Sequence, residues 1–172
     1  MTAQRQEGNG KLQAARGLGI ALIAMLAAFG LSPGPSAVHG ATTERVVVNR
    51  FSGLAIEGFD AVAYFIDRQP VLGSPDFEVS QAGAVWRFRN EGNRASFVAH
   101  PEVYGPQFGG YDPVDVARGV TLAGNPRFWV IASDRLYLFG LEEHRDAFAA
   151  DPARFLGQAR TVWPKLEQTL AQ

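Results

Sequence analysis

The chain of 172 residues has no cysteine. That absence excludes a disulfide framework, a zinc ribbon, an iron–sulfur cluster, a thiol nucleophile and a CxxC redox pair. An excess of one charge is missing too: 16 Lys+Arg stand against 17 Asp+Glu, a formal net charge of −1. A nucleic-acid binder needs a dense basic stripe to displace phosphate counterions, so that class is excluded. The chain has no GxGxxG or Walker-type phosphate loop, and Ser52, Ser74, Ser80, Ser96 and Ser133 lie outside any GxSxG elbow. What is present is 47% hydrophobic residues, with twelve Phe, four Tyr and three Trp. That is enough for the core of one domain and too much for a disordered chain.

The first 40 residues read as an export leader. Arg5, Lys11 and Arg16 precede the uncharged apolar run Gly17–Leu31, and Ser32-Pro33-Gly34-Pro35 then breaks any helix. At 15 residues the run is shorter than the ~20 that span a bilayer comfortably. Small residues at Val38 and Gly40 suit a cut near Gly40 or Ala41; the alternative is an uncleaved N-terminal anchor. The expected location is periplasmic or secreted, with membrane contact only through an uncut leader. Beyond Gly40 the chain carries 13 basic against 16 acidic residues, and Lys165 is its only lysine. Arginine in such proportion suits structural pairing with carboxylates and aromatic rings as well as anion binding.

The remainder contains a duplication. Trp86-Arg87-Phe88 superimposes on Tyr137-Leu138-Phe139 at an offset of 51, which also matches Arg94 with Arg145, Phe97 with Phe148, Pro101 with Pro152 and Tyr104 with Phe155. Ala84, Trp86 and Phe88 alternate with Val85, Arg87 and Arg89, the period of a half-buried strand. Asn90 is the expected N-cap of a helix through His100. In the second copy, 127–133 and 136–139 are expected strands around a tight turn at Asp134-Arg135, followed by a helix over 141–150. Asp151-Pro152 is expected to cap a further turn. Val46–Val48 and Asp76–Ser80 complete the expected strands. A short helix is expected after Asp112-Pro113, and a last helix from near Gln158, kinked or restarted at Pro164. The expected fold class is α+β: a small antiparallel sheet with helices, built as two strand-hairpin-helix units related by internal duplication.

Five segments in order, GFDAVAYF (58–65), Trp86-x-Phe88, Asn93-Arg94-x-x-Phe97, Pro101-x-x-Tyr104 and QFGGY (107–111), resemble the exported bacterial stand-alone YHS-domain family. The resemblance runs from about Leu54 to Pro164. It implies a small α+β YHS-like domain, placed over 54–166 after the leader over 1–40 and a lead-in strand within 41–53, with a tail over 167–172. It also implies a fold whose metal-associated relatives use cysteine ligands, at positions occupied in this chain by Ala63, Arg89 and Asn93. A fourth cysteine position, seen in exported relatives, is Asp112.

Candidate ligand-binding residues are Asp60, Tyr64, Tyr104, Gln107, Tyr111 and Asp112. Asp60 either accepts hydrogen bonds from a ligand or caps the turn after Gly58; Tyr64 either faces a pocket or lies in the core with its hydroxyl on a carbonyl. Tyr104, Gln107, Tyr111 and Asp112 make the best pocket candidate, since Gly109-Gly110 allows close backbone approach by a ligand or a neighbouring helix. His100, beside Pro101, suits a helix terminus. His144, the second-copy counterpart of Asn93, and Asp112 are the weak metal candidates, since a lone histidine beside Glu142 and Glu143 makes a poor site. The expected function is a non-catalytic small-ligand or partner-binding module, with no cofactor and no catalytic residue assigned. The alternatives are a metal-binding protein using oxygen and imidazole ligands, a metal ion being implied by the family alone, and an enzyme of unknown chemistry.

Overall fold

The computed structural model describes residues 44–170. The chain divides into two units, Met1–Ala37 and Val38–Gln172, and all described residues belong to the second. The expected leader lies outside them. Among the described residues, six α-helices, two 3-10 turns and two antiparallel two-stranded sheets make an α+β fold.

Each copy of the duplication begins with a 3-10 turn, Ile56–Gly58 in the first and Gln107–Gly110 in the second, followed by an aspartate and a one-turn helix, α1 (Ala63–Ile66) or α4 (Pro113–Val116). A hairpin follows, β1 (Ser74–Gln81) with β2 (Ala84–Phe88), or β3 (Asn125–Ala132) with β4 (Arg135–Phe139). The first copy closes with α2 (Glu91–Ala99) and α3 (Pro101–Tyr104), the second with α5 (Glu142–Ala150) and α6 (Pro152–Thr169). The registers correspond residue by residue: Ser74 opposes Phe88 and Glu78 opposes Arg87, as Asn125 opposes Phe139 and Trp129 opposes Leu138, each pair separated by the same bulge. Both hairpins turn through two residues with positive φ, Ala82-Gly83 and Ser133-Asp134. Such turns match the right-handed twist of the strands, and the second turn therefore falls one residue before the expected Asp134-Arg135.

Gly73 and Gly124 hold the same place in the two copies. A Cβ on Gly73 would lie 2.4 Å from the backbone of Arg87, and one on Gly124 would lie 2.5 Å from Cβ of Leu138. Both glycines let the chain cross close under its own hairpin.

The copies differ in burial. In β2 only Ala84, Trp86 and Phe88 are buried, whereas β4 is buried from Leu136 through Phe139. Leu136 and Leu138 join a core with Tyr64, Phe88 and Phe97, while Tyr137 and Phe139 pack with Val114, Phe148 and Leu156. A strand covered on both faces needs an unbroken apolar run, and LYLF supplies it.

Two elements depart from expectation. Val46–Val48 forms no strand; Val48 makes a single bridge to Ala55, and the Val47 N–H donates to the Gly109 carbonyl at 2.8 Å. The last helix begins at Pro152 rather than near Gln158 and continues through Pro164. Asp151 caps it by accepting from the Arg154 N–H, Pro152 occupies its first turn, and Leu156 and Ala159 bury its inner face. Among the described residues no helix is long and apolar enough to cross a membrane.

Candidate metal centre

The two aspartates that open the copies occupy equivalent nodes. Asp60 is fully buried. Its Oδ1 accepts from the N–H groups of Val62 and Ala63, and its Oδ2 from the Arg89 N–H at 2.9 Å and the Asn93 side-chain amide at 2.7 Å. It caps α1 and ties it to the end of β2 and the first turn of α2. All four contacts come from neutral donors of the chain itself, so the first node is chemically closed.

Asp112 is equally buried and caps α4 through Oδ1, which accepts from the Val114 N–H. Its Oδ2 accepts from the Gly140 N–H at 2.9 Å, and Nδ1 of His144 lies 2.8 Å from the same oxygen. Gly140 and His144 are the counterparts of Arg89 and Asn93. Asp115 stands where the first copy has Ala63. Its Oδ1 pairs with Arg118, and its Oδ2 lies 3.6 Å from Nδ1 of His144.

One ligand atom each from Asp112, Asp115 and His144 lies within 4.8 Å of the other two. Donors around a cation with bonds of about 2.0–2.2 Å sit about 3–3.5 Å apart, so small side-chain rotations close this set on an ion. Burial pushes the Asp112 carboxyl above the usual carboxylate range, against the opposing pull of its hydrogen bonds from His144, Gly140 and Val114. Two carboxylates with little exposure are matched by one arginine whose side chain is 61% exposed. The two carboxylates therefore have little compensating positive charge beside them. It is also reachable: a cavity of about 430 Å³ is lined by Asp115, Arg118, Thr121, Leu122, Leu141 and His144.

Of the four cysteine positions implied by the YHS resemblance, three do not fit a metal and only Asp112 carries a donor within the cluster. Ala63 has no donor, Arg89 is a cation paired with Asp67 at 2.7 Å, and the Asn93 amide is spent on Asp60.

The other expected site residues are distributed through the fold. Tyr64 is fully buried and donates its hydroxyl to the Pro126 carbonyl at 2.9 Å, and burial raises its phenol far above its ordinary range. Tyr111 is buried and donates to the Glu44 carbonyl at 2.5 Å. Tyr104 is half-buried, edge-on to Phe65 at 5.3 Å, and Gln107 opens the second 3-10 turn. Asp112 alone of the six belongs to the metal-type cluster. His100 links α2 to α3 at their shared terminus, 3.7 Å from Glu102. Asp115 is not among the expected site residues. Its signal in the sequence is the pairing of GFDAVAY (58–64) with GYDPVDV (110–116), which runs at an offset of 52 rather than 51.

No family model matches the chain, and neither the curated proteins nor the solved structures give a match.

Proposed function

We propose that this chain is an exported, non-catalytic binding module of YHS-like type, and that its second repeat holds a divalent metal ion through Asp112, Asp115 and His144. The observation that carries the reading is the contrast between equivalent nodes: where the first copy has Ala63 and Asn93, the second has a carboxylate and an imidazole, with the imidazole nitrogen 2.8 Å from Oδ2 of the buried Asp112 and 3.6 Å from Oδ2 of Asp115. Mixed oxygen and imidazole donors suit zinc, manganese or ferrous iron more than soft cuprous copper. Three protein ligands leave coordination positions open toward the cavity, where water or a small anion completes the shell.

The test is elemental analysis of the protein purified without chelator, followed by calorimetric titration of the metal-free chain with zinc and manganese. About one equivalent of bound metal is expected, lost in His144→Asn and in Asp115→Asn. Substoichiometric metal that neither substitution changes overturns the proposal.

A further inference from the structure

A second cavity, of about 480 Å³, is lined by none of the residues of the metal-type cluster. Its walls are Arg45 and Val46 on the lead-in segment, the β1–β2 turn at Ala82-Gly83, Gly109, and Trp163 and Glu167 on α6. Its volume falls in the range of about 300–1,000 Å³ typical of small-molecule sites.

The walls are fixed. Tyr111 donates to the Glu44 carbonyl, and the Val47 N–H bonds to Gly109, so the backbone that carries Arg45 is pinned on both sides. Gly109 has a φ of +63°, and a Cβ there would lie 1.9 Å from the Arg45 carbonyl oxygen. Only glycine allows that approach. Trp163 is held by Phe108 at 5.7 Å and Tyr111 at 6.0 Å.

The charges in this cavity are unspent. Nε of Arg45 is buried and has no hydrogen-bond partner. Among the described residues neither Arg45 nor Glu167 forms an ion pair, with each other or with any other side chain. A buried guanidinium nitrogen left without an acceptor is costly, and such groups in native proteins call for a partner. Here a cationic fork and a carboxylate line one cleft without neutralising each other, beside an indole and an aliphatic side chain.

We infer that this cleft binds a small zwitterion of the α-amino-acid class, its carboxylate on Arg45, its ammonium on Glu167, and its side chain against Trp163 and Val46. A guanidinium takes a carboxylate through paired N–H groups, which a simple cation site does not offer. The two opposite charges of an α-amino acid sit on one carbon, so a single small molecule satisfies both walls. The inference does not depend on the metal centre, since the two sites share no residue.

The test uses the full chain and thermal-shift measurements with each proteinogenic L-amino acid at millimolar concentration, then calorimetry on those that respond. At least one is expected to raise the melting temperature, and its affinity should fall about tenfold or more in Arg45→Met and in Glu167→Gln, the loss of one charge-assisted contact. The methyl ester and the N-acetyl form of the same amino acid should each lose the response. Arg45→Lys, which keeps the charge without the fork, should bind with intermediate affinity and controls for a folding defect in Arg45→Met. The inference is overturned if no amino acid stabilises the protein, if the response survives in both variants, or if acetate alone reproduces it.

Discussion

The Asp60 and Asp112 nodes are built on the same scaffold and end in different chemistry. Each aspartate caps a one-turn helix with one oxygen and accepts the amide just beyond a hairpin with the other, from Arg89 in one copy and Gly140 in the other. At Asp60 the remaining acceptor capacity is closed by an asparagine amide, a neutral donor that titrates nowhere and binds nothing else. At Asp112 it faces an imidazole, with a second carboxylate and a cavity beside that imidazole. Two differences, alanine against aspartate and asparagine against histidine, separate a structural knot from the proposed ion site. The scaffold fixes where a polar node sits, and the residues at two positions decide whether it is spent or available.

The largest expected effect distinguishes the nodes by stability. Asp60→Ala leaves four donors without their acceptor, three of them in buried contacts, and should cost about 3–5 kcal/mol in chemical denaturation. Asp112→Ala should cost less, about 2–3 kcal/mol, because burial already opposes the charge that it removes. Equal losses would mean that the two nodes are energetically alike.

Next in size is conversion of the second node into the first. The double variant Asp115→Ala, His144→Asn should lower zinc affinity about a hundredfold while changing unfolding free energy by less than about 2 kcal/mol. A variant that still binds zinc at the parental affinity would break the comparison.

A smaller effect concerns Tyr64, which joins the first copy to the start of β3 through the Pro126 carbonyl. Tyr64→Phe should cost about 1 kcal/mol near neutrality. Folding holds the phenol neutral above its ordinary value of about 10, so its contribution is whole below that pH and declines as pH rises past it. Unfolding titrations should accordingly show a steeper alkaline loss of stability in the parent than in Tyr64→Phe.

The smallest expected effects lie at the helix caps. Asn90 accepts from the Asn93 N–H, whereas its counterpart Leu141 gives α5 no side-chain cap. Asn90→Ala should destabilise by about 1 kcal/mol and Leu141→Asn should stabilise by about 0.5–1 kcal/mol, both read from thermal or denaturant melts.

Much of this fold is legible in the sequence because both copies carry strong local signals. The alternation of Ala84, Trp86 and Phe88, the cap at Asn90 and the Pro101 and Pro152 helix starts are local chemistry, and the elements form there. The full extent of the duplication is harder to read. The chain from Asp60 to Val71 is one residue longer than the stretch from Asp112 to Leu122, though both aspartate N–H groups end on those equivalent carbonyls. A search at a constant offset of 51 therefore stops before reaching the aspartates, and Asp115 goes unseen. The histidine is isolated in the sequence, since the carboxylates beside it come from across the fold, 32 and 29 residues earlier in the chain. The lead-in segment misleads for another reason: Val46–Val48 has strand composition, but its neighbours offer only single bridges, so it acts as a strap.

The amides of Arg89 and Gly140, which end on the two buried carboxylates, give this molecule a matched pair of magnetic probes. Each of these amides donates to a side chain rather than to a strand ladder, and they occupy equivalent positions 51 residues apart. Protonation of Asp112, or capture of the proposed ion, should move the Gly140 resonance and leave that of Arg89 in place, so that either event would be followed in solution against a reference that the duplication itself provides.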